Sequence, residues 1–394
     1  MKRIKSFSLI CCFSILLFFG CSNTVNISAI DNNVLVDDRE ALKFESVIKK
    51  AKESVVLLSV HPNVDPSITP QQSAMCTGVV VDNIGHVLTN FHCVYKQNYI
   101  KLFYYDKNDW DSYNVNVVGI DPLADLALLK VMGKEEPIPF IKFADDAAEI
   151  KEGSEVYAIG HPMGMAWTIT KGIISSNTRY SRHPYIKSLQ TDTAINKGNS
   201  GGPLLNMKGE LVGINALIIS RISENAGVAL SIRGDVVKKS FESMLENGKV
   251  DRPAVGIMIM GLTNFQAREK IIKEFPKQKP EFVPNTFGLV VRPDKDKEIP
   301  KGLKAFDTIV GVNDVAVNNG LQFSDELIKH KIGDTVTLTI IRKRVFLNTK
   351  VTLKVFPVPV DAMYGQKKLQ LPQPKPEAKP KEEPKKKEEK IPPK

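Results

Sequence analysis

No apolar run in this chain reaches the ~18 residues that a confident membrane-spanning helix needs, which argues against polytopic transport. It has no glycine-rich phosphate loop with its lysine and no His-x₃-His pair, so neither ATP, another cofactor nor a metal is implied. A basic excess on the folded part is missing as well. Of the net charge of +10, +3 lies in residues 1–20 and +5 in residues 366–394, which leaves +2 for 21–365. A nucleic-acid surface concentrates its charge on folded structure, so no nucleic-acid partner is expected. Cysteine is scarce at 5 residues, and only Cys76 and Cys93 lie beyond Cys21. The remainder is ordinary: 394 residues, 42% hydrophobic and 25% charged, too apolar for a disordered chain. At roughly 150 residues per domain, that length suggests two or three folded units.

The two ends differ from the middle. Lys2, Arg3 and Lys5 precede an apolar stretch from Phe7 to Phe19, then Gly20-Cys21 and a polar run. That is the pattern of an export signal with an apolar region of ~7–15 residues. Residues 1–20 resemble a bacterial lipoprotein signal, in which Cys21 becomes the lipidated first residue. Phe18 and Phe19 depart from the usual Leu-containing approach, and an uncleaved anchor or a simple signal peptide remain alternatives. A lipid anchor on Cys21 would hold the protein on a membrane of the cell envelope, with 21–37 as a tether. At the other end, 366–394 holds seven Pro, ten Lys and five Glu. Such a segment cannot offset its ordering entropy and reads as a solvated tail, or as a contact arm for anionic envelope polymers. In an exported protein the two remaining thiols are permitted to pair.

Between the ends, Leu42, Phe44, Val47, Ile48 and Ala51 recur at mostly helical spacing and predict a helix over Asp38–Ala51. Short strands bounded by turns follow at Val55–Val60, Thr77–Val81, Val87–Asn90, Tyr99–Tyr105, Val115–Ile120 and Ala127–Val131. Four more are expected at Val156–Ile159, Gly172–Ser176, Leu211–Ile214 and Gly227–Ser231. Many short strands argue a mainly β fold, a barrel or a sandwich. Ser240–Asn247 reads as a helix and Gly248–Pro253 as a linker. A second unit runs from 252 to 360. It has expected strands at Gly288–Val291, Thr308–Val312, Thr335–Ile341 and Thr349–Phe356, and helices at Asn264–Phe275 and Ser324–Lys331.

Three segments of the first unit carry chemistry. Leu88-Thr89-Asn90-Phe91-His92-Cys93 delivers His92 at a strand end. Asp121-Pro122-Leu123-Ala124-Asp125 sets Asp125 just before an apolar strand. Asn196-Lys197-Gly198-Asn199-Ser200-Gly201-Gly202 places glycines around Ser200, so the backbone can turn tightly and approach a substrate. A serine hydroxyl needs a base within hydrogen-bond reach, and the base needs an acid to fix its tautomer. His92 and Asp125 suit those roles. The N–H groups of Gly198 and Ser200, with Asn199 between them, would face an oxyanion, each such donor being worth roughly 2.7–4 kcal/mol in the transition state. Taken singly, each segment is also explained as a turn or a satisfied polar residue.

Together, in the order His–Asp–Ser, these motifs resemble the chymotrypsin-like serine proteases and, more narrowly, the HtrA/Deg family. Thr89-Asn90-x-His92, Asp125-Leu126-Ala127 and Gly198-Asn199-Ser200-Gly201-Gly202 carry the likeness, with support from Ile159-Gly160-His161-Pro162-Met163-Gly164 and Gln190-Thr191-Asp192-Thr193-Ala194-Ile195-Asn196. The resemblance spans about 45–360. It implies a chymotrypsin-like double β-barrel over 38–248, with the triad in the cleft, followed by one PDZ domain over 252–360. It also implies a Cys76–Cys93 disulfide, since many chymotrypsin-like proteases bridge two cysteines in nearly this arrangement, although most HtrA proteases do not. Trypsin-like enzymes carry an acid six residues before the nucleophile; here that position is Ala194. With Ile195 and Leu217 as pocket walls, the resemblance implies cleavage after small or medium aliphatic residues.

In the second unit, Ala254-Val255-Gly256-Ile257 stands where a PDZ carboxylate-binding loop is expected, ready to hold peptide C-termini by backbone N–H groups. Gly302-Leu303-Lys304-Ala305-Phe306-Asp307-Thr308-Ile309 looks like the family's Gly-Leu-x-x-Gly-Asp-x-Ile, with Phe306 replacing a Gly. Thr263–Asn285 is longer than the family norm. The resemblance implies an exported serine endopeptidase of protein quality control in the periplasm. It would act on unfolded or misfolded proteins as a homotrimer to which the Asp38–Ala51 helix contributes. A regulatory protease with one dedicated substrate, or a proteolytically silent chaperone or scaffold, is the alternative.

Overall fold

A computed structural model describes residues 31–65, 73–106, 109–134, 137–147, 150–161, 167–180, 183–218, 227–262, 265–276, 284, 286–293 and 298–364. The expected signal, Cys21 and the tail 366–394 lie outside the described residues. The chain divides into two compact units, 1–46 and 47–394. Helix α1 (Asp31–Lys52) runs across that division and starts earlier than the apolar spacing predicts. Two barrels and a third body make up the second unit.

The first barrel is formed by β1 (Val55–His61), β2 (Ala74–Val80) and β3 (His86–Asn90), then β4 (Tyr99–Asp106), β5 (Asp109–Asp121) and β6 (Leu126–Val131). A four-residue helix α2 (Phe91–Val94) is inserted after β3. The strands close in the order β1-β2-β3-β6-β5-β4, all antiparallel neighbours, which leaves no free sheet edge. Val56, Leu58, Val87, Leu102 and Leu129 fill its interior. The second barrel takes β7 (Glu155–Gly160), β8 (Thr168–Tyr180) and β9 (Lys187–Thr191), then β10 (Pro203–Asn206), β11 (Leu211–Ile218) and β12 (Ala229–Arg233). It closes as β10-β11-β12-β9-β8-β7 around Val156, Ala158, Ile174, Leu189, Leu204 and Val212.

Helix α3 (Gly234–Asn247) follows and begins six residues before the expected Ser240. Its first residue must be small: a Cβ on Gly234 would sit 2.8 Å from Ala147 Cβ and 2.9 Å from the Val212 carbonyl. The helix lies close on β5, where a Cβ on Gly119 would meet Met244 Cβ at 2.5 Å. Gly248 ends it in the left-handed region at φ +70° and returns its N–H to Met244 O at 2.9 Å.

The third body contains β13 (Pro253–Ala254), β14 (Ile259–Gly261), α4 (Phe265–Glu274), β15 (Leu289–Val291), β16 (Thr308–Val312), β17 (Val315–Ala316) and α5 (Gly320–Leu327). It continues with β18 (Thr335–Arg342), β19 (Val345–Thr352), β20 (Lys354–Val355) and a closing helix α6 (Val360–Tyr364). Its main sheet runs β14-β15-β16-β18-β19, with β17 on β16. Val255, Val291, Ile309, Phe323, Leu327, Leu338 and Val351 form the core. The strand expected at Thr349–Phe356 is divided between β19 and β20 at Leu353, which is buried and donates its N–H to Asp334 O at 2.8 Å. Helix α5 starts at Gly320 rather than Ser324, because the Asn319 side chain caps it by accepting from the N–H groups of Leu321 and Gln322, both at 3.0 Å.

The segments leading into and out of this body are paired. Pro253 lies opposite Val355 and Ala254 opposite Lys354, and the Phe356 N–H donates to Arg252 O at 2.7 Å. Arg252 fastens that pair to the first barrel through a two-pronged ion pair, Nη1 to Asp121 Oδ1 at 2.8 Å and Nη2 to Oδ2 at 2.6 Å. The Ser240 hydroxyl of α3 donates to the same carboxylate at 2.7 Å. Both charged side chains are almost fully buried, 6% and 1% exposed. Breaking such a pair strands a charge in the interior and costs about 3–5 kcal/mol. Arg252→Met is therefore expected to lower the urea unfolding midpoint by a corresponding amount, measured by tryptophan fluorescence. A midpoint equal to that of the parent would contradict it.

Candidate active site

Asp125 is built into a strained turn. It holds φ +59°, a conformation that costs most L-residues about 1–2 kcal/mol and that Asp tolerates better than most. Its carbonyl accepts the Phe91 N–H and the Asn90 side-chain amide, both at 3.0 Å, which fixes the turn against the end of β3. Its carboxylate, 2% exposed, then receives His92 twice: the backbone N–H on Oδ1 at 2.9 Å and ring Nδ1 on Oδ2 at 2.8 Å. With Nδ1 so engaged, Nε2 is the nitrogen left to accept a proton. His92 sits in α2, two residues past the strand end near which the sequence places it, and its side chain is 35% exposed.

The Ser200 loop belongs to the second barrel and is pressed onto the first. Thr77 of β2 makes the attachment. Its N–H donates to Ser200 O at 2.9 Å and its hydroxyl donates to Gly198 O at 2.6 Å. The same hydroxyl accepts the His161 N–H at 3.1 Å, while Thr77 O accepts the Thr89 hydroxyl at 2.8 Å. Gly201 follows at φ +82°, and a Cβ there would lie 2.2 Å from Thr89 Oγ1 and 2.9 Å from Asn90 N. The Ser200 loop thus abuts the strand that ends two residues before His92. No hydrogen bond joins Ser200 Oγ to His92 in this geometry; catalytic contacts of this kind commonly tighten only with substrate bound. Behind the loop, Asn215 is a buried support: its carbonyl accepts the Gly201 N–H at 2.9 Å and its side chain spans Pro203 O and the Ser231 hydroxyl.

Cys76 and Cys93 form a disulfide. It ties the residue before Thr77 to the residue after His92, and closing so short a loop is worth roughly 3 kcal/mol in the chain-entropy account. The two sulfurs and a His92 nitrogen lie within 4.8 Å of one another, but bridged sulfurs are not thiolates, so this trio is ill-suited to a metal.

Gly198 holds φ +101°, and among the described residues neither its N–H nor that of Ser200 has a hydrogen-bond acceptor. Asn199, grouped with them in the sequence expectation, differs: its backbone N–H is committed to Asn196 O at 3.0 Å. Ala194 is half-buried, with its carbonyl held by the Thr170 hydroxyl at 3.0 Å, and Ile195 is 2% exposed. The Leu217 side chain lies outside the described residues.

The trypsin-like peptidase domain matches residues 76–214, and the PDZ domain matches 278–353. This chain carries a trypsin-like peptidase domain followed by a PDZ domain. Among curated proteins, a DegP-like periplasmic serine endoprotease of Brucella suis is 30% identical over 286 residues, 72% of this chain and 53% of that protein. Its counterpart in Pseudomonas putida strain W619 is 33% identical over 289 residues, 73% of this chain and 57% of that protein. The chain therefore spans about half the length of these relatives. Among solved structures, the HtrA-type protease AlgW with a tripeptide superposes with a TM-score of 0.65 at 25% identity, covering 80% of this chain and 98% of that one. The serine endoprotease from Yersinia pestis gives 0.60 at 25% identity, with the same coverage.

In the PDZ domain, the four residues of the expected carboxylate loop differ in their surroundings. Ala254 belongs to β13, the Val255 side chain lies in the core, and Gly256, at φ +79° with nothing within 4 Å of a Cβ placed on it, leads with Ile257 into β14. Asp307 is 1% exposed and holds the Gly302–Ile309 motif together, accepting the Lys304 N–H and the Arg342 guanidinium, all at 2.7 Å. Phe306 takes φ +67°, and its ring meets that of Phe275, the residue after α4, edge-on at 5.3 Å. Both rings pack against a small cluster of Leu262, Ile271 and Val290.

Two histidines make this assembly acid-sensitive. Burial pushes His161 down to about 4, and burial together with the Arg252 charge does the same to His183. Both stay neutral in the fold and titrate near 6.5 when unfolded, so the unfolded chain binds more protons between pH ~4 and ~6.5. Stability is fully present above that window and is lost as pH falls through it. Urea midpoints measured from pH 7 to 4.5 are expected to decline steadily; a flat profile would contradict the burial of these rings in neutral form.

Proposed function

We propose that this chain is a serine endopeptidase of the cell envelope, with Ser200 as nucleophile, His92 as general base and Asp125 as the acid that orients it. The observation that carries the reading is the paired contact of His92 with the buried Asp125 carboxylate beside the loop that presents Ser200. In this mechanism His92 Nε2 takes the Ser200 proton as Oγ attacks the scissile carbonyl, and Asp125 stabilises the imidazolium that forms. The N–H groups of Gly198 and Ser200 receive the oxyanion, and His92 returns the proton to the leaving amine. Water then repeats the sequence on the acyl-enzyme and restores the hydroxyl.

The periplasmic relatives support an exported protein, and the resemblance extends the reading to a lipid anchor on Cys21 and a homotrimer acting on unfolded envelope proteins. A bound peptide in the AlgW structures supports a PDZ domain that takes peptide C-termini, here near Gly256 and Ile257 along β14. With Ala194 in place of an acid and aliphatic Ile195 and Leu217 nearby, cleavage falls after small or medium aliphatic residues. The missing Ser200–His92 hydrogen bond is the one feature favouring a second reading, a peptide-binding chaperone with a silent triad.

Casein digestion by the intact protein and by Ser200→Ala separates the two. The expected result is proteolysis reduced about 10⁴-fold or more in the variant, with parent cut sites after residues such as Val and Ala. Equal, negligible proteolysis by both proteins would favour the chaperone, and dominant cutting after Lys or Arg would overturn the specificity.

A further inference from the structure

The catalytic-acid loop is held by a residue from the far side of the PDZ domain. Past β20 the chain returns to the first barrel as α6, where Val360 and Tyr364 pack against the barrel core. The Tyr364 ring stands edge-on to Phe91 at 4.8 Å and lies 5.6 Å from Tyr95, so it is seated on α2, the helix that bears His92. Its hydroxyl reaches over α2 to the acid loop. There it donates to Pro122 O at 2.7 Å, with a second, longer leg to Asp125 Oδ1 at 3.2 Å.

We infer that Tyr364 is a positioning residue for the triad, fixing the acid loop and the base-bearing helix with one side chain. The inference rests on the assignment of Asp125 and His92 proposed above. The phenol proton is shared between a backbone carbonyl and the carboxylate oxygen that also receives the His92 N–H. Tyr364 therefore sets where Pro122 and Asp125 sit and how much negative charge Asp125 turns toward the imidazole. Its ring packs under the same helix, so loop and base move together. Arg252 grips Asp121, the other end of this five-residue loop, from the segment leading into the PDZ domain. Both ends of the loop are thus fastened by residues flanking that domain, one before it and one after it.

Removing only the hydroxyl tests this in the full chain, because Tyr364→Phe keeps the ring and its contacts with Phe91 and Tyr95. The expected result is a fall in kcat of about three- to ten-fold with KM little changed, and an acid limb of the kcat/KM profile displaced to higher pH. Without its phenol donor, Asp125 would favour the charged imidazole more strongly. A second readout needs no turnover: the far-downfield proton resonance of the His92 Nδ1–Asp125 hydrogen bond should move in Tyr364→Phe. Tyr364→Ala, which also removes the ring, should in addition lower the thermal midpoint. An unmoved pH profile and an unmoved resonance in Tyr364→Phe would overturn the inference, even with stability lowered. If the parent shows no proteolysis while the resonance still moves, the peptidase reading fails and the positioning of Asp125 by Tyr364 stands.

Discussion

Thr77 joins the two halves of the site. Its N–H and hydroxyl, on adjacent bonds of one residue of β2, take the carbonyls of Ser200 and Gly198 from the other barrel. These carbonyls belong to a loop whose next residue, Gly201, admits no side chain because β2 and β3 stand too close. The nucleophile loop therefore has one place to lie. The same strand carries Cys76, bonded to Cys93, and so holds the proposed base, His92, by a covalent tie as well. A hydrogen bond between neutral groups contributes only about 1 kcal/mol net, but leaving these buried carbonyls unpaired would cost more. The arrangement is set mainly by what its disruption would leave unsatisfied.

Asp125, the proposed acid, is positioned differently. Asp125 occupies a backbone conformation that side chains disfavour, and it is held there by Asn90 and Phe91 on one side and by the fastened loop 121–125 on the other. Arg252 and Tyr364 come from outside the barrel and lie on either side of the PDZ domain in the chain. Contacts between the second barrel and the PDZ domain add to this: Lys187 pairs with Asp325 at 2.8 Å, His183 packs on Phe356 at 4.5 Å, and the Tyr185 hydroxyl donates to Pro253 O. The PDZ domain is thus not a loosely appended module, since its connections end on the loop that carries the acid.

Much of this was legible in the sequence, and the gaps have physical causes. Strands such as Val55–His61 and Leu126–Val131 carry apolar residues that fill a barrel, and they stand within a residue or two of where the pattern puts them. Lys187–Thr191 and Pro203–Asn206 escaped notice because one alternates polar residues into a buried interface and the other is four residues long and opens on proline. The motif residues His92, Asp125 and Ser200 stood out through their glycine and turn surroundings. Thr77, Asn215, Arg252 and Tyr364 did not. Their roles depend on partners 12 to 242 positions away, Asn215 with Pro203 at one extreme and Tyr364 with Pro122 at the other, and no local spacing encodes that. An aromatic residue isolated at the edge of a Pro- and Lys-rich tail is the one signal that could have pointed to Tyr364.

The account turns on Ser200 being activated by His92 across the junction that Thr77 makes. Labelling of the intact protein with a fluorophosphonate, which phosphonylates a serine activated by a neighbouring base, reads this directly by mass spectrometry. The expected result is a single adduct on Ser200 that is lost in His92→Ala. An unlabelled Ser200, or an adduct formed equally well without the imidazole, would contradict it.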